Sequence, residues 1–145
     1  MKNHYPEIVC WRITSKCNRN CPFCFRPDRQ DLPTEKIYKI IDNLAVHGVK
    51  GIGITGGEPL LRKDIVKIFK YIWGKGIKIC LATNTDLYSK YQKSINKYVE
   101  TIGIPIEGST KEIHDSLRGV GNYHNVVGAI NNIYKSRPRM YFQLC

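Results

Sequence analysis

The chain has 145 residues, of which 42% are hydrophobic and 24% are charged, and its formal net charge is +11. This length and composition are those of a globular protein with one core, and no apolar stretch is long enough to cross a membrane. The segment MKNHYPEIVC lacks the apolar core of a secretion signal, so we expect a cytoplasmic protein. The charge allows an anionic partner such as nucleic acid, but the scattered lysines favour a solvated surface.

Short β-like segments alternate with amphipathic segments along the chain. The predicted strands are residues 7–14, 49–55, 77–83 and 99–106, with a fifth that begins at residue 139. The predicted helices are residues 33–48, 65–72, 88–98 and 126–134. We expect Thr34 to cap the first helix and Gly48 to end it.

This regular alternation predicts an α/β fold with a parallel sheet and right-handed crossovers. Helices on one face of the sheet would give a barrel, and helices on both faces would give a doubly wound sheet. Five strands do not close a barrel, so we expect the chain to be the first part of a longer protein or a naturally short form.

Three cysteines form the spacing C-x₃-C-x₂-C within CNRNCPFC, namely Cys17, Cys21 and Cys24. Three thiolates on one short loop can bind three irons of a [4Fe-4S] cluster and leave the fourth iron open. A structural zinc site would need a fourth ligand, from His47, His114, His124 or another cysteine. Unligated loop thiols are a further alternative. Three nearby arginines would offset the negative charge of a cluster: Arg19, Arg26 and Arg29.

The remaining cysteines and histidines carry weaker signals. Cys10 and Cys80 lie inside predicted strands, where a free cysteine behaves as a small hydrophobic core residue. We prefer the same interpretation for Cys145, although it could begin a further cluster site. The histidines, including His4, show no ligand spacing to one another.

Three further motifs follow predicted strands, where functional groups of parallel α/β proteins gather. They are TGGEP after the second strand, TNTD after the third and PIEGS at the end of the fourth. With them, the chain resembles the radical S-adenosylmethionine (radical SAM) superfamily. The resemblance rests on CNRNCPFC, on GIGITGGEPLLRKDI and on IPIEGSTKEIHDSLRGVGNYHNVVGAI.

The resemblance implies that residues 1–145 are the N-terminal portion of a radical SAM core domain. The expected fold is a partial (β/α) TIM-type barrel with about four βα units and a fifth strand. Cys17, Cys21 and Cys24 would then ligate three irons, and the amino and carboxylate groups of S-adenosylmethionine would chelate the fourth. An electron from a donor such as flavodoxin or ferredoxin would cleave the cofactor. The resulting 5′-deoxyadenosyl radical would abstract hydrogen from an unidentified small-molecule or peptide substrate.

The resemblance also implies cofactor contacts near the cysteine loop. Phe23 would pack near the adenine. The carbonyls of Gly56 and Gly57 and the carboxylate of Glu58 would accept hydrogen bonds from the cofactor ammonium group, and Pro59 would stiffen this turn. The alternative is a tight turn with an exposed glutamate and a phenylalanine packed within its loop.

Further along the chain, Thr83 and Asn84 would face the cavity and bond cofactor or substrate. Arg118 would pair with the cofactor carboxylate. Pro105 stands where many relatives have a serine near the ribose, and it has no hydroxyl. Glu107 could accept the ribose hydroxyls instead. A strand-end turn and solvated charges are the alternatives for these residues.

Two other function classes remain open. A non-catalytic iron–sulfur carrier would bind a cluster without cleaving S-adenosylmethionine, but it has no need of an amine-binding GGEP turn. A zinc-dependent nucleic-acid module would fit the charge and the cysteines, but the βα alternation and the missing fourth ligand disfavour it.

Overall fold

A parallel five-stranded sheet forms the centre of the fold. The computed structural model describes residues 5–25, 28–136 and 139–143 of the chain. The strands are β1 Ile8–Arg12, β2 Gly51–Thr55, β3 Lys78–Ala82, β4 Thr101–Pro105 and β5 Arg139–Gln143. Each strand pairs in parallel with the next one in the chain, in the order β1-β2-β3-β4-β5. A doubly wound sheet reverses its order at a switch point, so this sequential order confirms the predicted partial barrel.

Helices connect successive strands. They are α1 Thr34–Val46, α2 Ile65–Gly74, α3 Tyr88–Tyr98, α4 Lys111–Arg118 and α5 Asn122–Tyr134, with a short 3₁₀ helix at Pro59–Leu61. Within the residues that the structure describes, no helix has the length and apolar character needed to span a membrane.

The helix α4 was not predicted from the sequence. Its segment KEIHDSLR is short and contains only two large apolar residues, Ile113 and Leu117, which lie four positions apart on one side of the helix. The helix begins after Thr110, whose Oγ1 accepts a hydrogen bond of 3.3 Å from the backbone N–H of Ile113. A polar cap therefore marks the start of this helix.

The hydrophobic core lies between the sheet and the helices. Alternate residues of β2, β3 and β4 point to this side, and their side chains are fully buried, as for Ile52 and Ile54 of β2. The corresponding residues of β1, Val9 and Trp11, are partly buried. They pack in one cluster with the apolar face of the first two helices, which includes Ile37, Ile41 and Phe69. Because all the strands run in parallel, their carboxyl ends lie at the same edge of the sheet, where the motifs follow.

The opposite face of the sheet carries the residues between the core positions. Cys10, Gly53 and Cys80 are neighbours in register across β1, β2 and β3. Cys10 is exposed, so its predicted core role is wrong. Cys80 is half-buried on the same face, where its Sγ lies 3.4 Å from Oη of Tyr141. Alternation along the strand places both thiols away from the helices.

The start of α1 also differs from the prediction. Pro33 precedes the helix, and the Thr34 side chain makes no cap hydrogen bond. Its Oγ1 instead donates to Oδ2 of Asp64 at 2.7 Å and so ties α1 to the start of α2. Gly48 follows the helix with φ of +78°, as expected for a glycine at a helix end. His4, Arg26 and Cys145, named above, lie outside the described residues.

Candidate cofactor site

The C-terminal ends of the strands open into a cavity of about 420 Å³. Most of the predicted site residues line it: Cys17, Cys21, Phe23, Cys24, Gly56, Gly57, Thr83, Asn84 and Arg118. Pro105 lines the cavity as well. Among the described residues, the predicted site residues that do not line it are Glu58, Pro59 and Glu107. One cavity therefore brings together residues that lie about 100 positions apart in the chain.

The cysteine loop presents its three thiols to this cavity. Cys17 and Cys21 are half-buried, Cys24 is exposed, and all three are free thiols. The Cys17 sulfur accepts a hydrogen bond from the backbone N–H of Arg19 at 3.4 Å, and Nδ2 of Asn84 lies 3.9 Å away. Burial raises the pKa of Cys21, and the nearby Arg118 guanidinium acts in the opposite direction. Such N–H groups and cations stabilise thiolates that bind metal.

The TGGEP turn packs directly against the segment that leads into the cysteine loop. The backbone N–H of Gly57 donates to the Thr14 carbonyl at 2.8 Å, and that of Glu58 donates to the Lys16 carbonyl at 2.8 Å. A Cβ atom on Gly57 would lie 2.6 Å from the Lys16 carbonyl carbon. Only glycine therefore allows this backbone approach, which joins the turn to the cysteine loop.

The carboxylate of Glu58 is fully buried behind the turn. Its Oε1 accepts hydrogen bonds from Thr83 Oγ1 at 2.9 Å and from the Leu60 backbone N–H at 3.0 Å. Its Oε2 accepts from the backbone N–H of Asn84 at 2.7 Å. Burial raises the pKa of Glu58 to about 7 despite these three donors. Glu58 thus joins the turn after β2 to the end of β3, and Pro59 begins the 3₁₀ helix.

Arg118 and Glu107 meet one another at the side of the cavity. Nε of Arg118 donates to Oε1 of Glu107 at 2.9 Å, and Nη2 binds the same oxygen. The side chain of Glu107 is only 2% exposed. The Arg118 guanidinium also lies 5.2 Å from the ring centre of Phe23, in cation–π geometry. Two residues predicted for different parts of the cofactor therefore form one ion pair.

A polar network beside the cavity was missed in the sequence. Its centre is Asp86, the last residue of the TNTD motif, which was given no role there and which pairs with Arg19 at 2.6 Å. His114, left unassigned above, is fully buried in the same region. Its Nδ1 accepts from the Glu107 backbone N–H at 3.2 Å, and its Nε2 lies 2.9 Å from Asn122 Oδ1. The signal in the sequence that could have indicated this network was Asp86, an aspartate just after the end of a strand.

Comparison with known families identifies the superfamily of this chain. The family model that describes the sequences of the radical SAM superfamily matches residues 11–143 of this chain. These residues include the cysteine loop, the TGGEP turn and Arg118. This chain belongs to the radical SAM superfamily.

Several curated radical SAM relatives match a large part of the chain. An AdoMet-dependent heme synthase of Methanosarcina barkeri is 30% identical over 139 residues, which cover 90% of this chain and 40% of the relative. A probable GTP 3′,8-cyclase of Methanococcus maripaludis is 33% identical, with 79% of this chain and 41% of the relative covered. A mycofactocin maturase of Mycobacterium tuberculosis is 28% identical, with 88% and 34% covered. The chain therefore spans less than half the length of each of these relatives.

Solved structures share the fold. SuiB of Streptococcus suis bound to its precursor peptide SuiA superimposes with a TM-score of 0.84 at 22% identity, over 95% of this chain and 32% of that chain. SuiB bound to S-adenosylmethionine gives a TM-score of 0.79 at 24% identity, over 94% and 33%. These likenesses support the partial barrel observed here.

The radical SAM family uses a [4Fe-4S] cluster and S-adenosylmethionine. The donor set of this chain fits that pair, because three thiols of one loop and a close-packed glycine turn line the same cavity. No group of three His, Cys, Asp or Glu side chains in the described part of the chain could hold a single metal ion. A cubane cluster takes each thiolate at a different iron, so its ligands do not need to meet at one ion.

Proposed function

We propose that this chain carries the cofactor site of a radical SAM enzyme that cleaves S-adenosylmethionine reductively and abstracts hydrogen from a substrate. The observation that carries the proposal is the shared cavity of the cysteine loop and the TGGEP turn. A carrier of iron–sulfur clusters needs the first of these features and has no use for the second.

Cys17, Cys21 and Cys24 are the proposed ligands of three irons. When bound, the cluster supplies the electron that cleaves S-adenosylmethionine to the hydrogen-abstracting 5′-deoxyadenosyl radical. The hydrogen bond from the Arg19 backbone to the Cys17 sulfur and the proximity of the Asn84 amide would stabilise the bound thiolate.

The TGGEP turn is proposed to hold the methionine end of the cofactor. Backbone carbonyls of Gly56 and Gly57 would accept hydrogen bonds from its ammonium group. The Glu58 carboxylate already accepts three hydrogen bonds from the protein, so we assign it to holding the turn and β3 together. Pro59 would restrict the backbone directly after the turn.

The remaining cavity residues are proposed to bind the other parts of the cofactor. Phe23 would pack on the adenine, and Arg118 would attract the cofactor carboxylate. Glu107 pairs with Arg118, so we propose that it orients this guanidinium, while its contact with the ribose stays a prediction. Thr83 and Asn84 line the cavity and would bond cofactor or substrate.

The substrate is proposed to be a peptide or a small molecule. The one-electron donor would be a protein such as flavodoxin or ferredoxin, and an acidic donor of this kind would be attracted by the net charge of +11.

Formation of 5′-deoxyadenosine tests the proposed function. The chain would be reconstituted with iron and sulfide without oxygen, reduced with dithionite and given S-adenosylmethionine. We expect 5′-deoxyadenosine from the wild-type chain and none from Cys21→Ala, because a loop with two thiols leaves an iron without its ligand.

Cys10→Ala is the matched control, since Cys10 is a free thiol on the open face of the sheet. It should form product at the wild-type rate. A wild-type chain that assembles the cluster but forms no 5′-deoxyadenosine would favour the carrier function and contradict the proposal.

A further inference from the structure

One carboxylate connects three separate segments beside the cysteine loop. Asp86, in the turn between β3 and α3, accepts two hydrogen bonds from the Arg19 guanidinium, at 2.6 and 2.8 Å. It also accepts from the side-chain amide of Asn18 at 2.8 Å. From α5, the amides of Asn122 and Asn125 donate to it at 2.9 and 2.8 Å. Five donors therefore converge on Asp86 from the cysteine loop and from α5.

The guanidinium of Arg19 connects the same loop to the end of α4. Its Nη1 lies 3.2, 2.8 and 3.3 Å from the carbonyl oxygens of Arg118, Gly119 and Val120. Gly119 has φ of +96°, and a Cβ atom there would lie 3.0 Å from this nitrogen. The carbonyl end of α4 is the negative end of its dipole, which favours a cation at this position.

The network reaches both the cysteines and the opposite wall of the cavity. Asn84 donates to Oδ1 of Asn18 at 2.8 Å, and the same amide lies 3.9 Å from the Cys17 sulfur. Arg118, whose carbonyl binds Arg19, places its own guanidinium over Phe23. A displacement of Arg19 would therefore move the cysteine loop relative to Arg118.

The ion pair between Arg19 and Asp86 can hold the segments that it joins in a fixed arrangement. The side chains of Arg19 and Asp86 are 14% and 10% exposed, so water screens their interaction only in part. A guanidinium that binds a carboxylate through two nitrogens has a fixed orientation. Partners of this kind around metal ligands typically contribute about 10- to 100-fold to metal affinity or activity.

We propose that Asp86 is a positioning residue that holds the cysteine loop against α4 and α5 through Arg19. The inference rests on the proposed function, because it assigns Asp86 to the cluster site. Asp86 acts through other residues: it orients Arg19 and Asn18, and these two residues fix the loop that carries Cys17 and Cys21.

The test uses the whole chain with Asp86→Asn, which keeps the side-chain shape and an oxygen for the amides of α5 but presents an amide group to Arg19. Arg19→Gln and the double variant complete a cycle. Asp64→Asn is the matched control, because Asp64 also binds an arginine through both oxygens, at 3.0 and 2.8 Å to Arg62, at the start of α2.

Three quantities are compared: iron loss from the reconstituted chain to a chelator, the shape of the reduced-cluster electron paramagnetic resonance (EPR) signal, and hydrogen–deuterium exchange of residues 17–24 in the metal-free chain. We expect iron loss to be about tenfold faster in Asp86→Asn, with an altered EPR signal and faster exchange in this loop. The double variant should lose iron no faster than the single variant with the faster loss, because both changes break the same interaction between Arg19 and Asp86. Asp64→Asn should match the wild type in all three.

Wild-type iron retention and loop exchange in Asp86→Asn would overturn the inference. Equal effects of Asp64→Asn would also overturn it, since they would mark a general loss of stability. If Asp86→Asn does not fold, the same three quantities are compared between Arg19→Gln and Asp64→Asn. Wild-type values in Arg19→Gln, or equal effects in the two variants, would then overturn the inference. If the wild-type chain assembles no cluster, the proposed function fails, and loop exchange in the metal-free chain still decides the role of Asp86.

Discussion

At the scale of single residues, Glu58 shows how its surroundings change the role expected of a motif residue. The GGEP motif predicted a carboxylate available to a ligand, whereas the structure buries Glu58 and gives it three protein donors. Hydrogen bonds from these donors favour the ionised form, and burial favours the neutral form. Burial prevails, so its pKa rises to about 7.

This raised pKa predicts a pH dependence of stability. Between pH 4.5 and about 7 the folded chain holds a proton on Glu58 that the unfolded chain releases, so this group's contribution to the free energy of unfolding falls as the pH rises. The loss should be roughly 3 kcal/mol at most. Glu58→Gln cannot titrate and should lack this fall, although it loses an acceptor for the Asn84 N–H at every pH.

Urea unfolding of the metal-free chain at several pH values measures the difference between the two proteins. Glu35→Gln, at an exposed carboxylate in the first turn of α1, is the control and should follow the wild type. Parallel pH curves for wild type and Glu58→Gln would show that Glu58 is ionised throughout this range.

At the scale of elements, the connection between the turn after β2 and the cysteine loop depends on Gly57. Gly57→Ala should displace the Lys16 carbonyl and lower the free energy of unfolding by about 1–3 kcal/mol, as overpacking typically does. Because Lys16 directly precedes the cysteine loop, cluster content after reconstitution should fall as well. Denaturant unfolding and iron analysis give the two quantities.

Gly128→Ala is the control for this change. Gly128 lies within α5, and a Cβ atom there would meet nothing within 4 Å. Alanine at such a helix position should stabilise the chain by up to about 1 kcal/mol and leave the cluster content unchanged. Equal cluster contents in the two alanine variants would contradict the role given to Gly57.

The elements also show what the sequence could reveal. The strands were predicted because they are short segments rich in β-branched and other apolar residues, and α1, α2 and α5 because their apolar residues recur at helical spacing. The helix α3 carries a weaker pattern of the same kind. The helix α4 was not predicted because it is only eight residues long and has only two large apolar residues, Ile113 and Leu117. The cap expected at Thr34 was wrong because a long-range partner, Asp64, takes its hydroxyl.

At the scale of the whole molecule, local patterns predicted the class of fold and the position of the site. The three cysteines and the glycine turn were found because each lies in one short motif at a strand end. Contacts between distant segments were not visible in any motif. Arg118 and Glu107 were assigned to different parts of the cofactor, and no motif indicates that these two side chains pair.

The exposed face of the sheet is a second feature that exists only in the assembled fold. Cys10 has the apolar neighbours of a core residue along the chain, but its strand position turns it away from the helices. Which side of a strand faces the helices depends on the register of the whole sheet, which one strand cannot specify.

The central claim is that the cavity holds a cluster with one iron open to S-adenosylmethionine. The most direct measurement is the EPR spectrum of the reconstituted, reduced chain before and after S-adenosylmethionine is added. We predict a [4Fe-4S]⁺ signal whose shape changes on addition. A cluster signal that stays the same would contradict the cofactor site, and a chain that takes up zinc and assembles no cluster would contradict the role of Cys17, Cys21 and Cys24.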